Sequence, residues 1–108
     1  MPVVLGTMID FYNKDILPVI YTQGSLGASG DLAPLAHLAL PLIGDGMVWD
    51  GEDTAFAKAV LEENNWSPIT LHSKEGLALL NGTQFMAAYG IYALLKSHKI
   101  SYMADVIG

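Results

Sequence analysis

The chain has no cysteine and only five lysines and arginines among its 108 residues. Without cysteine it forms neither a disulfide framework nor a thiolate metal site. A formal net charge of −6 leaves no basic stripe to neutralise phosphates, which excludes a nucleic-acid partner. The longest apolar run, residues 85–95, is too short to cross a bilayer, so we expect no membrane association.

The composition is unusual for so short a chain. It is 52% hydrophobic and 15% charged, against about 25% charged residues in a typical globular domain. A small domain exposes much of its surface and should be more polar than average. We therefore predict that residues 1–108 form a single fragment of a larger helical protein, without separate domains. The absence of cysteine and of a secretory signal favours a cytoplasmic location.

Hydrophobic periodicity and the positions of Pro and Gly predict a mainly α-helical chain. Apolar residues at three- and four-residue steps predict a first helix over 3–17, ended by Pro18. A glycine-rich loop follows over 18–30. The other predicted elements are a buried helix over 32–43 kinked at Pro41, a short hairpin at 47–51, a helix over 54–63 capped by Asp53 or Thr54, an extended connection over 66–71, a helical turn over 73–79 and a long helix over 83–106.

The glycine-rich loop contains Ala28-Ser29-Gly30, a tripeptide that can form an electrophile from its own atoms. Attack of the Gly30 nitrogen on the Ala28 carbonyl carbon closes a five-membered ring. Loss of two waters then leaves a 4-methylideneimidazol-5-one. Gly30 has no Cβ to block the tight turn, and the Ser29 hydroxyl is the leaving group. Ordinary side chains are poor electrophiles, so a protein that activates an amine has to borrow or make one.

Two longer segments carry a resemblance to a known family. The first runs over 24–40 and 42–46, and the second, over 74–84, reads Lys-Glu-Gly-Leu-Ala-Leu-Leu-Asn-Gly-Thr-Gln. In order and separation they resemble the aromatic amino acid ammonia-lyases, most closely the histidine ammonia-lyases. The resemblance implies an internal fragment of a large all-α bundle enzyme. It also implies that the 4-methylideneimidazol-5-one made from the tripeptide is the cofactor, with no external one.

The resemblance implies catalytic roles for Ala28, Ser29, Gly30 and Asn81, with Gly82 in support. Asn81-Gly82 is also an ordinary turn signal, but here it lies between two apolar helical runs, where buried polar groups need partners. The backbone N–H groups of this turn are candidates to hold the ring's carbonyl oxygen as it gains charge.

Asp31 has two interpretations. As the residue before an apolar helix it is a typical N-cap, whose carboxylate accepts from free backbone N–H groups. As the neighbour of the cyclising peptide it is a candidate to influence deprotonation of the Gly30 amide. Downstream, Thr83 is predicted to cap the long helix, Gln84 to be structural, and Lys74 with Glu75 to order the approach to Asn81.

Three histidines suggest a metal site, but their spacing matches no ligand pair. His37 lies on an apolar helix, and we expect a hydrogen-bonded core histidine there rather than a ligand. From the histidines we therefore predict no metal site.

The five tyrosines match no catalytic motif of the family.

The resemblance implies that the parent protein eliminates ammonia from L-histidine to give trans-urocanate. It also implies a small amino acid substrate and a homotetramer whose subunits share the active sites. Two alternatives stay open: a phenylalanine or tyrosine ammonia-lyase or aminomutase, and an isolated chain that is purely structural and inactive. We expect the 108 residues alone to be inactive.

Overall fold

A computed structural model describes residues 2–108 of the chain. Most of its regular structure is helical, which confirms the predicted fold class. The elements in chain order are α1 (Pro2–Asn13), β1 (Leu17–Pro18), α2 (Leu32–Ala39), a 3₁₀ turn (Leu40–Ile43), β2 (Met47–Asp50), β3 (Asp53–Phe56), α3 (Ala57–Glu63), α4 (Glu75–Leu80) and α5 (Gln84–Ile107).

The three strands form one small antiparallel sheet in the order β1-β2-β3. Val48, in the central strand, faces Pro18 on one side and Ala55 on the other. Its side chain is completely buried. The sheet therefore joins the start of the chain to its middle and provides one wall of the core.

The hydrophobic core lies between α1, the sheet, the 3₁₀ turn and α3. Its buried residues are Val4, Phe11, Ile16, Leu42, Val48, Ala57 and Leu61. The rings of Phe11 and Trp66 stack with centroids 5.7 Å apart, which brings the connection after α3 onto α1. The 3₁₀ turn that follows α2 contributes Leu42 to this core, which connects α2 to it.

The predicted end of the first helix is wrong by four residues. α1 ends at Asn13, and Asp15 takes a left-handed φ of 56°. Leu17 and Pro18 then pair with β2. The prediction relied on Pro18 as the helix breaker, whereas pairing with a strand distant in the sequence takes the chain out of the helix earlier.

The helix predicted over 54–63 begins later, at Ala57. Asp53 and Thr54, the predicted caps, pair instead with Asp50 and Trp49 in the hairpin. The hairpin is thus longer than the predicted 47–51 segment. Short polar residues favour both caps and turns, so the local sequence did not distinguish these outcomes.

The segment predicted as one kinked helix over 32–43 becomes α2 followed by the 3₁₀ turn. Pro41 lies at the first turn of that tighter segment, and Gly44 ends it with a left-handed φ of 80°. Leu35 and Leu42 are buried as predicted. Leu32 and Ile43 are 43% and 39% exposed, so the expectation of burial on every side is wrong for the chain by itself.

Helix α5 matches its predicted span within one residue at each end. Within residues 2–108, every residue of this helix except Phe85 is exposed. Many of its exposed side chains are large and apolar, among them Ile91, Leu94 and Ile100. An apolar helix without cover is expected to pack against further protein.

Candidate active site

The Ala28-Ser29-Gly30 tripeptide lies at the end of the loop that leads into α2. Ala28 and Gly30 form an isolated backbone bridge with Ser29 as the turn residue between them. The two residues whose atoms would join in the predicted ring closure are therefore folded toward each other. Ser29 is exposed and Gly30 is buried.

Gly30 has a φ of +107°, a conformation that residues with a side chain rarely adopt. A Cβ at this position would collide with the carbonyl oxygen of Gly82 and lie 3.0 Å from its carbonyl carbon. Both the backbone angle and the close approach therefore require glycine. The two motif segments, 52 residues apart at these positions, meet in this contact.

Packing of α2 against α4 brings the segments together. The glycine-rich loop precedes α2 and the Asn81-Gly82 turn follows α4, so the two meet at the same end of the helix pair. Asn81 is the C-terminal cap of α4, and its backbone N–H donates to the Leu77 carbonyl at 2.9 Å. The Gly82 N–H and the Asn81 carboxamide remain as candidate donors of this turn.

Gln84 folds back over the same turn. Its Nε2 donates to the Leu79 carbonyl at 3.3 Å, and a Cβ on Gly82 would collide with its Oε1. Thr83 occupies the N-cap position of α5, as predicted, but its side chain makes no capping hydrogen bond within the described residues. The Gln84 side chain thus links the end of α4 to the start of α5, in agreement with its predicted structural role.

Asp31 occupies the N-cap position of α2, and its carbonyl accepts from the Leu35 N–H at 3.2 Å. Within residues 2–108, however, its side chain makes no capping hydrogen bond. The carboxylate instead accepts a hydrogen bond from the Ser25 hydroxyl at 2.6 Å. The predicted side-chain cap is therefore wrong, because a hydroxyl within the loop takes the carboxylate away from the helix N-terminus.

Ser25 is the residue that reasoning from sequence missed. It lies six residues before Asp31, on the other side of the tripeptide. A hydroxyl and a carboxylate flanking a glycine-rich loop are a weak signal, since their meeting depends on the path of the loop.

The entry into α4 is held by Glu75, whose Oε2 accepts from the His72 N–H at 2.8 Å. Lys74 precedes the helix with a left-handed φ of 69°. These two residues lie at the start of α4, the helix that precedes Asn81.

Two cavities adjoin the loop. One of about 270 Å³ is lined by the loop itself, from Gly24 to Gly30, with Leu32 and Ala33. The other, of about 380 Å³, has aromatic walls from Tyr21, Phe85 and Tyr89, and polar groups from Ser25 and Asp31. Asp31 and Ser25 therefore both line the second cavity, and Ser25 also lines the first, which the tripeptide borders.

His37 differs from the hydrogen-bonded histidine that was predicted. Its buried Nδ1 has no hydrogen-bond partner among the described residues. The ring meets the Tyr21 ring edge-on at 5.1 Å between centroids. Among residues 2–108, no group of three His, Cys, Asp or Glu side chains is placed to hold a metal ion.

Crossing a bilayer requires a helix that is both long and apolar. None of the helices in residues 2–108 combines the two properties to the extent needed.

The aromatic amino acid lyase family model matches residues 1–108, the whole of this chain. The chain therefore belongs to the aromatic amino acid lyase family.

Within that family, histidine enzymes are prominent among the similar proteins. A histidine ammonia-lyase of Bacillus cereus is 48% identical over 106 residues, which cover 98% of this chain and 21% of that protein. The crystal structure of histidine ammonia-lyase from Trypanosoma cruzi superposes with a TM-score of 0.77 at 44% identity, covering 89% of this chain and 19% of that one.

The likeness extends to enzymes with other names. The crystal structure of tyrosine aminomutase from Streptomyces globisporus gives a TM-score of 0.70 at 44% identity, covering 76% of this chain and 15% of that one. The chain spans about a fifth of the length of the curated relatives that it matches.

Proposed function

We propose that the full-length protein containing this chain is a histidine ammonia-lyase, which eliminates ammonia from L-histidine to give trans-urocanate. The observation that carries the proposal is the Ala28-Ser29-Gly30 turn, folded on itself and packed against Gly82. The names of the similar proteins from Bacillus cereus and Trypanosoma cruzi support histidine as the substrate.

The local backbone fits a self-formed 4-methylideneimidazol-5-one. Ala28 and Gly30 are bridged across Ser29, and Gly30 has the left-handed φ that a tight turn needs. The Ser29 side chain, which has to lose its hydroxyl, is exposed rather than held in the core. Ala28, Ser29 and Gly30 would hold the group as part of the main chain.

All atoms of the ring come from this chain. The Gly30 nitrogen bonds to the Ala28 carbonyl carbon, and its proton passes to the former carbonyl oxygen to give a hydroxyl. That hydroxyl leaves as water with the Ser29 N–H proton, and a carbon–nitrogen double bond remains. The Ser29 hydroxyl then leaves as a second water with the Ser29 Hα, and a carbon–carbon double bond remains outside the ring.

The finished group supplies an electrophile that activates the substrate amine for elimination. Asp31 adjoins the Gly30 peptide, and we assign it to the transfer of the amide proton during ring closure. The Asn81 carboxamide and the Gly82 N–H are assigned to donate to the Ser29 carbonyl oxygen as negative charge develops there. Donors fixed in advance near such an oxygen contribute strongly to catalysis.

The proposal includes a cytoplasmic homotetramer with active sites shared between subunits. The exposed apolar side chains of α5, such as Leu95 and Val106, support it because they need cover from further protein. The cysteine-free sequence supports the reducing compartment. Residues 1–108 are proposed to be the portion of the catalytic region that carries the electrophile, without separate domains.

A second candidate function is a tyrosine or phenylalanine lyase or aminomutase. The likeness to the Streptomyces globisporus tyrosine aminomutase favours it. The same tripeptide chemistry serves all of these activities, so the loop does not distinguish them.

The test uses a full-length chimera, in which this chain replaces the matching 106-residue segment of the Bacillus cereus enzyme. We expect the chimera to release ammonia and form urocanate from L-histidine. Because the rest of the chimera comes from a histidine ammonia-lyase, the choice of substrate is tested on the full-length protein that contains this chain, where turnover of L-tyrosine or L-phenylalanine but not L-histidine would favour the second candidate. A folded chimera without activity on any of the three would contradict the proposal.

A further inference from the structure

The Ser25 hydroxyl and the Asp31 carboxylate close a seven-residue loop around the reactive tripeptide. The Ser25 Oγ donates to the Asp31 Oδ1 at 2.6 Å. This length falls in the range of hydrogen bonds from a hydroxyl to an ionised oxygen, which are about twice as strong as neutral ones. Ser25 precedes the tripeptide by three residues, and Asp31 follows it directly.

The hydrogen bond determines where the Asp31 carboxylate lies. An Asp at an N-cap normally turns its side chain onto the free N–H groups of the helix. Here the Oδ1 atom lies on the loop side instead, 3.7 Å from the position that a Cβ on Gly27 would occupy. The carboxylate is thus held over the loop that contains the tripeptide, and Ser25 is the side chain that holds it there.

We infer that Ser25 is a positioning residue for ring closure, which keeps the Asp31 carboxylate over the loop and holds the two loop ends together. This inference rests on the proposed function, because it concerns the rate at which Ala28-Ser29-Gly30 cyclises. In ring closure the Gly30 N–H proton has to reach the former carbonyl oxygen of Ala28. A carboxylate fixed beside that peptide can accept the proton and return it, whereas one turned toward the α2 N-terminus cannot.

The side chain of Ser25 lies outside the bonds that form and break. Since the role inferred for it is to position Asp31 during ring closure, we expect it to affect how fast the electrophile appears rather than how fast a finished site turns over. This separation gives the inference a signature that general destabilisation of the loop does not produce.

The experiment compares Ser25→Ala with Ser25→Thr in the full-length chimera, with Ser67→Ala as the matched control at an exposed serine outside the loop. Intact mass and near-ultraviolet absorbance, sampled at fixed times after synthesis, give the fraction of chains that have lost two waters. We expect Ser25→Ala to slow this loss about tenfold, the effect of one hydrogen bond to a charged group. Ser25→Thr keeps the hydroxyl and should restore the rate, and Ser67→Ala should leave it unchanged.

A double-mutant cycle with Asp31→Asn tests whether Ser25 acts through Asp31. If it does, Ser25→Ala adds no further slowing in the Asp31→Asn background. Turnover per cyclised site should stay the same in Ser25→Ala. An unchanged rate of water loss in Ser25→Ala, a failure of Ser25→Thr to restore it, or additive effects in the cycle would each overturn the inference. If the parent chimera itself keeps both waters, the proposed function fails together with the inference.

Discussion

The backbone of Gly30 lies directly against the carbonyl of Gly82, with no room for a Cβ between them. This contact joins the reactive loop before α2 to the turn after α4. It gives a physical reason why position 30 carries glycine, since the carbonyl that it faces belongs to a segment far away in the sequence. The Gly82 backbone also limits the space available to the turn at Gly30, because the two backbones are in direct contact.

Replacement of Gly30 by Ala is expected to abolish formation of the electrophile. The new Cβ would collide with the Gly82 carbonyl oxygen, and the φ of +107° is unfavourable for alanine. A displacement of about 1 Å in a reacting group costs on the order of 100-fold in rate. Intact mass of the full-length chimera should show both waters retained, with histidine turnover lowered at least to that extent.

Gly6→Ala is the control for that variant. Gly6 lies in α1, where an added Cβ meets nothing within 4 Å. Loss of two waters and turnover should both match the parent chimera. If Gly30→Ala cyclises as fully as Gly6→Ala, the packing of Gly30 against Gly82 is irrelevant to the chemistry.

Asn81→Ala is expected to lower turnover without unfolding the protein. The α4 hydrogen bond of Asn81 uses its backbone N–H, which alanine keeps, so the loss is confined to the side-chain carboxamide. Removal of one donor to a developing oxyanion costs about 100- to 1,000-fold in kcat. Circular dichroism and gel filtration should match the parent, and unfolding in either measurement would show that Asn81 is structural.

The sequence was sufficient for the features that depend on local pattern. Periodicity located α5 almost to the residue, and the glycines marked the reactive loop. The expectation that the two motif segments act together came from the family resemblance and not from periodicity. No local pattern encodes the contact between Gly30 and Gly82.

The errors share a physical origin in contacts between distant residues. α1 ends early because Leu17 pairs with Trp49, and α3 begins late because Thr54 pairs with the same residue from the other side. The Ser25 hydrogen bond to Asp31 depends on the path of the loop. Strand pairing and loop closure outweighed local cap and turn propensities in each case.

The isolated 108-residue chain is expected to keep an open tripeptide and to release no ammonia from histidine. A strained backbone persists only where the surrounding structure enforces it, and α5 is almost entirely exposed in this chain by itself. Its intact mass should equal the mass calculated from the sequence. A mass lower by two waters would show that the contact between Gly30 and Gly82 is sufficient for cyclisation without further protein.

The origin of the electrophile is tested by the intact mass of the full-length chimera and of its Ser29→Ala variant. Alanine keeps the backbone of the turn but has no hydroxyl to lose, so the carbon–carbon double bond cannot form. We predict that the parent is lighter than its sequence mass by two waters and converts histidine to urocanate. We expect that Ser29→Ala does not show this loss and has almost no activity. A parent that keeps both waters, or a Ser29→Ala variant with near-normal turnover, would contradict the assignment of Ala28-Ser29-Gly30 as the source of the electrophile.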